Sequence, residues 1–473
     1  MTRWSVICGL VLALAGCGEA PLVADAGAGD DAGEEVAWSA PMLAGPEAVL
    51  EDMNPDPDVV EVHLRAELTD LDLGDGTVRP MLSYNGVYPG PVLQAEVGQE
   101  IVVHFENHTL QDTTVHWHGL RISDQMDGSP RIQEPVAALD GTFTYRFMLP
   151  DAGTYWYHPH VRTNEQLELG LVGTIVVHDR NDPVFDAERV VVLDDILIDP
   201  STDRVAGFLS THPELVHGRS GNVLLTNGHV SPGTSGTARP GQVERWRLVN
   251  TANARTMSVS LTGGTMRVVA TDAGRLAEPF ETNRLELPVG QRYDIEVRHE
   301  RAVTTALQSH VLALDDAGDV VEVAMPVYLV EVAGEPVAEP REIVWTELPA
   351  VDPRIVDQEV TMEFEGINDP VDGLQWMING QAHPEEPLFT FGEGETVRMV
   401  LRNLAGQEHP FHLHGQFFEI EGRPGLYDTV MVSGGATVNI VAHLDNPGQW
   451  MAHCHILEHA ELGMMSEIVV EPR

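Results

Sequence analysis

Along most of the chain, apolar residues either alternate with polar ones or run together in short stretches bounded by Gly, Pro, Asn or Asp. Few windows carry the spacing of an amphipathic helix, so the chain reads as strands and turns. One pattern recurs three times. Asn85-Gly86 precedes GQEIVVHFEN ending at Asn107, Asn227-Gly228 precedes GQVERWRLVN ending at Asn250, and Asn379-Gly380 precedes GETVRMVLRN ending at Asn403. In each copy a glycine (Gly98, Gly241, Gly394) stands nine residues before the asparagine. That is a turn, a strand and a turn at domain-sized intervals. The pattern predicts an all-β protein of three Greek-key β-sandwich domains in tandem, over 46–182, 183–338 and 339–473. A length of 473 residues agrees, at roughly 150 per domain.

Composition adds the compartment. Residues 1–17 carry Arg3, an apolar run from Val6 to Ala15, and small residues before Cys17. The run is far short of the roughly 20 residues that span a bilayer and reads as an export signal. Leu14-Ala15-Gly16-Cys17 resembles a bacterial lipoprotein lipobox, which implies cleavage before Cys17 and a lipid on its thiol. An ordinary signal peptide with an incidental cysteine is the alternative. Gly18, where lipoproteins kept at the inner membrane usually carry Asp, points to the outer membrane. Residues 18–45 are Ala, Gly and acidic residues, expected to be a flexible tether. The expectation is thus an exported protein, periplasmic or at the cell surface, that meets the membrane only through a lipid anchor at Cys17. Lys and Arg number 27 against 73 Asp and Glu, a formal charge of −46. Such a surface repels nucleic acid and can gather cations. Of three cysteines, Cys8 falls in the signal and Cys17 is the anchor, which leaves Cys454 no disulfide partner in its own chain. In an oxidising compartment a metal would protect that thiol.

The three copies can be compared with one another. Nine residues past the closing asparagine stand His116 in TTVHWHG, Val259 in RTMSVSL and His412 in HPFHLHG; six past it stand Thr113, Thr256 and His409. Later, GTYWYHPH places His158 and His160 after Gly153, and GQWMAHCH places His453, Cys454 and His455 at the same distance after Gly448. The outer domains therefore share two His-X-His pairs each, and the middle one has none. On a strand each pair directs both imidazoles to one face and the central residue to the other. Four pairs (His116/His118, His158/His160, His412/His414, His453/His455) can converge between the outer domains. Cys454 then points into its own domain, where His409, His459 and Met464 can join it. Cysteine, two histidines and a weak axial methionine form the ligand set of a blue-copper electron-transfer site.

The motifs HWHG, HPH, HPFHLHG and HCHILEHAELGMM resemble those of the three-domain multicopper oxidases of laccase type, built from cupredoxin-like domains, and the resemblance covers everything after the tether. It implies four copper ions. The type 1 copper would fall to His409, Cys454 and His459 with Met464 axial, the type 2 copper to His116 and His412, and the type 3 pair to His118, His158, His160, His414, His453 and His455. The middle domain would be a spacer without copper ligands. The activity implied is one-electron oxidation of a small donor at type 1, an electron path through Cys454, and reduction of oxygen to water at the trinuclear site. Asp127, nine residues after His118, matches an acidic residue that relatives use for protons; shaping the Asp-Gly turn is its alternative role. Bacterial relatives usually carry glutamate directly after the second type 1 histidine. Here that position is Ala460; Glu461, next along, is the second proton candidate but should face differently, so Asp127 is preferred and the proton route departs from the pattern.

A phenol or aromatic amine is the expected donor, with a metallo-oxidase of cuprous, ferrous or manganous ions as the alternative. A copper-free structural relative or a copper carrier are readings of another class, though a carrier would repeat its cysteine and methionine sites. One chain holds every expected ligand, so a monomer is expected. The remaining histidines are scattered and read as surface or core residues, and no phosphate loop or hydrolase constellation stands out.

Overall fold

The asparagine that closes each repeated strand is a buried staple, which explains why the pattern recurs. Asn107 Nδ2 donates to the carbonyls of Gln111 and Val136, Asn250 Nδ2 to those of Arg255 and Leu287, and Asn403 Nδ2 to those of Gln407 and Val432. Each side chain thereby satisfies loop carbonyls that would otherwise be buried without partners. The Asn-Gly pairs repeat just as closely. Asn85, Asn227 and Asn379 have φ of 54, 49 and 51°, each followed by a glycine with φ above 70°. Two successive positive φ values make the hairpin turn that favours Asn-Gly. The asparagine oxygens accept the N–H of Arg65, Val192 and Glu363 on the strand alongside.

The computed structural model describes residues 43–44, 48–208, 211–314, 319–346, 348, 355–369 and 373–473. The expected signal over 1–17, with Cys8 and Cys17, lies outside the described residues, as does the tether apart from 43 and 44. Those two correct the tether's end: Leu43–Ala44 is a short strand pairing in parallel with Glu188 and Arg189. Leu43 packs on a valine cluster of Val92, Val176, Val190 and Val192, contact enough to order that end of the segment.

Apart from one two-stranded ribbon, the described strands form three successive pairs of sheets. In each pair the repeated strand holds the same place. Glu100–Asn107 lies parallel to Val59–Asp72 and antiparallel to Gly141–Met148. Val243–Asn250 lies likewise between Ala187–Ile196 and Arg292–Arg298, and Glu395–Asn403 between Gln358–Asp369 and Thr437–Leu444. These are three tandem β-sandwiches of cupredoxin-like type, the expected all-β architecture. The middle copy is buried along its whole length although it carries Arg245 and Arg247. Both guanidinium groups bond Asp294, and Arg247 also reaches Glu188 and, at 3.0 Å, Thr154 of the first sandwich. A charge is tolerated inside only when it is paired in this way.

Helices are short; the longest described, His212–His217, is closed by a capping box between Thr211 and Glu214. Among the described residues, no helix is long and apolar enough to cross a membrane.

Candidate metal centre

Strand pairing brings the histidines together. In the first sandwich His116–His118 runs antiparallel to Gly153–His158, with His116 opposite His158. In the third, His412 lies opposite His453 and Phe411 opposite Cys454. Opposed residues share a face, so Phe411, His409 and Cys454 turn one way while His412, His414, His453 and His455 turn the other. The middle copy has Val259 at the matching position, fully buried in an apolar core with Met257 and Leu287.

Across the gap between the outer sandwiches the imidazoles meet face to face. His118 stacks on His412 with ring centroids 3.8 Å apart and planes 9° from parallel, and His116 stacks on His414 at 3.9 Å. His160 lies edge-on to His453 at 5.2 Å, and His158 edge-on to His455 at 5.7 Å. All eight are buried. Donor nitrogens of His116, His118 and His158 fall within 4.8 Å of one another, as do those of His116, His412 and His414, and those of His160, His414 and His453.

Most of these rings are anchored through one nitrogen. His116 Nδ1 meets the Asp127 carbonyl at 2.8 Å, His158 Nδ1 the Pro159 carbonyl at 2.9 Å, His412 Nδ1 the Asp428 carbonyl at 2.9 Å, and His453 Nδ1 the Cys454 carbonyl at 2.9 Å. His414 Nδ1 meets Asp127 Oδ2 at 2.8 Å. The opposite nitrogens converge on the gap. Nε2 of His116, His158 and His412, Nδ1 of His118, and both nitrogens of His160 and His455 are buried without any hydrogen-bond partner, while His414 Nε2 faces His453 Nε2 at 3.0 Å. So many orphaned or opposed nitrogens are costly in a protein interior, and metal ions would satisfy them.

A second site lies on the other face of the Cys454 strand. His409 Nδ1 and His459 Nδ1 approach to 3.1 Å, with Cys454 Sγ 3.5 and 3.8 Å away. Two imidazole nitrogens aimed at each other and at a thiol suit a thiophilic metal ion. Met464 is fully buried, and its carbonyl accepts the Cys454 N–H at 3.1 Å while its own N–H bonds the His459 carbonyl. Trp376 lies tilted against His459 with ring centroids 4.2 Å apart and donates to the Leu215 carbonyl, and His459 Nε2 donates to the Val216 carbonyl at 3.1 Å. The helix His212–His217 thus roofs the site. Beside it opens a cavity of about 410 Å³ walled by His459, Ile456, Thr256, Arg255, Glu408 and His217.

Burial sets the protonation states. It pushes His409 and His453 down to about 3 and holds His118, His158, His160, His414, His455 and His459 well below the ordinary imidazole value, aided by their neighbours' charge. Neutral imidazole is the form that binds a metal. Burial pushes the Cys454 thiol up, so binding there must displace a proton.

Two carboxylates touch the histidine cluster. Asp127 is buried in the turn after His118 with Oδ1 unpartnered, 3.4 Å from His116 Nδ1. Asp428 was not singled out by sequence reasoning. It stands at the start of an ordinary apolar run, TVMV, and its only signal is a lone acid there. Its Oδ1 lies 3.3 Å from His118 Nε2. Burial pushes its carboxyl up, but Arg292 and the two histidines outweigh that and hold it well below the usual range. Glu461 is not brought to the cluster: it ends the helix Leu457–Glu461 with its side chain exposed, and its carbonyl accepts from His383. The middle domain supplies no member of these clusters among the described residues, yet it is more than a spacer. Gly290 abuts the cluster so closely that a Cβ there would lie 3.0 Å from the His455 ring and 3.1 Å from that of His118.

Comparison with known proteins points the same way. Residues 66–182, 193–305 and 356–473 each match a family described as multicopper oxidase. The chain is 32% identical to the multicopper oxidase MmcO of Mycobacterium tuberculosis over 84% of each chain. It is 26% identical to Laccase-2 of Cryptococcus neoformans, covering 84% of this chain and 82% of that one. Among solved structures, it is similar to a multi-copper oxidase from Pseudomonas thermotolerans with a TM-score of 0.76 and 29% identity, over 87% of this chain and 99% of the other.

Proposed function

The chain belongs to the multicopper oxidase family, copper oxidoreductases that use oxygen, and on that premise we propose a laccase-like enzyme whose electron donors are phenols or aromatic amines. The observation that carries this reading is the pair of buried sites back to back on one strand, with Cys454 facing one and His453 and His455 the other. In this proposal His409, Cys454 and His459, with Met464 beside them, would hold a type 1 copper. His116 and His412 hold a type 2 copper, and His118, His158, His160, His414, His453 and His455 hold the type 3 pair. When bound, copper supplies the one-electron acceptor at the first site and the four-electron reduction of oxygen to water at the second.

The rest is the work of the chain. The cavity beside His459 is large enough for a single-ring donor and brings it to the imidazole edge. Cys454 joins the two sites through its own peptide bonds to His453 and His455. The backbone and Asp127 anchors hold His116, His158, His412, His414 and His453 through Nδ1 and leave Nε2 turned to the gap. Asp127 Oδ1, buried and unpartnered beside His116, is the atom where a proton for the oxygen site is held. Glu461, exposed at the helix end, has no part in that step.

A second donor class is favoured by the same cavity, whose walls are mostly polar and include Glu408 and His217, groups suited to a cuprous, ferrous or manganous ion. The proposal also takes the protein to be a monomer, exported and lipid-anchored at Cys17, on the strength of its leader and of a ligand set complete in one chain.

The test is oxygen uptake by the copper-loaded protein given cuprous ion and a simple methoxyphenol in parallel at equal electron supply. Faster uptake with the phenol is expected. Faster uptake with cuprous ion would favour the metallo-oxidase, and no uptake at full copper occupancy would overturn both.

A further inference from the structure

Asp428 sits where the middle and third domains meet at the histidine cluster. Oδ1 lies 3.3 Å from His118 Nε2 and accepts from Arg292 Nη1 at 2.7 Å and Thr429 Oγ1 at 2.9 Å. Oδ2 accepts from Arg292 Nη2 at 2.6 Å, and the Asp428 carbonyl accepts from His412 Nδ1 at 2.9 Å. The fork-to-fork pairing is the geometry in which arginine holds a carboxylate most firmly. It also occupies the carboxylate, which is therefore not free to act as a metal ligand.

Arg292 is itself fixed. Its remaining N–H groups go to the carbonyls of Thr154, Gly290 and Asp272 at 3.0, 3.1 and 2.9 Å, so all five donors are used. Asp272 accepts the backbone N–H of Arg292 at 2.7 Å and those of Asp428 and Thr429 at 3.4 and 3.3 Å. Every member is buried. A Cβ on Gly119, next to His118, would lie 2.4 Å from Arg292 Nη2 and 2.7 Å from Asp428 Oδ2, so the clamp closes directly over the HWHG turn.

The contact to His118 differs from the other anchors. His116, His158, His412, His414 and His453 are held through Nδ1. His118 is held through Nε2, and its Nδ1 is the orphan. The hydrogen bond at one ring nitrogen decides which nitrogen is free to ligate.

We propose that Asp428, clamped by Arg292 and Asp272 of the middle domain, is a positioning residue for the trinuclear site that fixes His118 as the Nε2–H tautomer and turns its Nδ1 to copper. The middle domain, which adds no member to the cluster among the described residues, thereby sets the geometry of a site built from the other two. This rests on the assignment of the eight histidines to copper.

The test compares the copper-loaded full chain with Asp428→Asn and Arg292→Lys under graded EDTA, following copper per chain, the visible absorption of the type 1 site and Tm. Asp428→Asn is expected to release trinuclear copper at roughly 10–100-fold lower EDTA, the usual effect of losing a partner behind a metal ligand, with type 1 absorption kept. Arg292→Lys retains charge but not the fork, so a smaller shift in the same direction is expected. In the copper-free protein, nitrogen-15 resonances of His118 should report a single Nε2–H tautomer that becomes mixed in Asp428→Asn. Unchanged resistance of the trinuclear copper to EDTA in both variants would overturn the proposal. So would loss of type 1 and trinuclear copper together with a collapsed Tm, since that marks a merely structural role. A wild-type chain that takes up copper only at the type 1 site would instead refute the ligand assignment beneath it.

Discussion

Asp127→Asn separates the two halves of the catalytic cycle. The side chain accepts from His414 Nδ1 through Oδ2 at 2.8 Å, a bond that an amide oxygen can keep, so the ring stays anchored. The amide nitrogen then takes the place of Oδ1, 3.4 Å from His116 Nδ1, whose proton already points to the Asp127 carbonyl. A buried donor facing a donor costs about 1–3 kcal/mol, which lowers Tm without emptying the site. What is lost is a group that can take up and give back a proton. Positioned proton transfer contributes about 10²–10⁴-fold to a rate. At about 1.36 kcal/mol per decade, that is about 2.7–5.5 kcal/mol added to the oxygen half-reaction. Reduction of the type 1 site, remote from Asp127 across the Cys454 strand, should not change. The assay is stopped-flow in two legs: anaerobic bleaching of the type 1 colour by donor, then its return when the reduced protein meets oxygen. An oxygen leg as fast as wild type, at equal copper content, would refute the proton role of Asp127.

Met464→Leu should raise the type 1 potential, since a thioether that would bind the proposed copper is exchanged for a non-ligating group of similar volume, and redox titration of the visible band checks this. The copper-free protein should lose stability in mild acid. The unfolded chain binds protons at His409 and His453 from about 6.5 downward, whereas burial keeps the folded chain from doing so until about 3. Unfolding free energy should therefore fall as pH drops through that window, by up to about 1.4 kcal/mol per pH unit for each histidine, and a urea midpoint at pH 5 no lower than at pH 7 would contradict it.

Much of the site was legible from one sequence because strand alternation is a local rule. Once HWH and HCH are strands, His116 and His118 must share a face, and Cys454 must oppose His453 and His455. The triple repeat was legible because Asn-Gly is a turn signal in itself, the two successive positive φ values favouring that pair at each copy. Glu461, the weaker of the two proton candidates and expected to face differently, ends a helix of five residues with its side chain turned to solvent.

The sequence by itself therefore determined the fold class, the repeat and the set of candidate ligands, because strand alternation and turn chemistry are local rules and the three copies can be laid over one another. Only the tertiary structure decided which nitrogen of His118 and His414 is free, because their partners come from distant parts of the chain. Asp428 holds His118 from 310 residues away, and Asp127 holds His414 from 287. It also decided the part played by the middle domain. Arg292 and Gly290 carry no metal-binding signal in their local sequence, and they matter because packing three sandwiches into one unit brings them against the cluster.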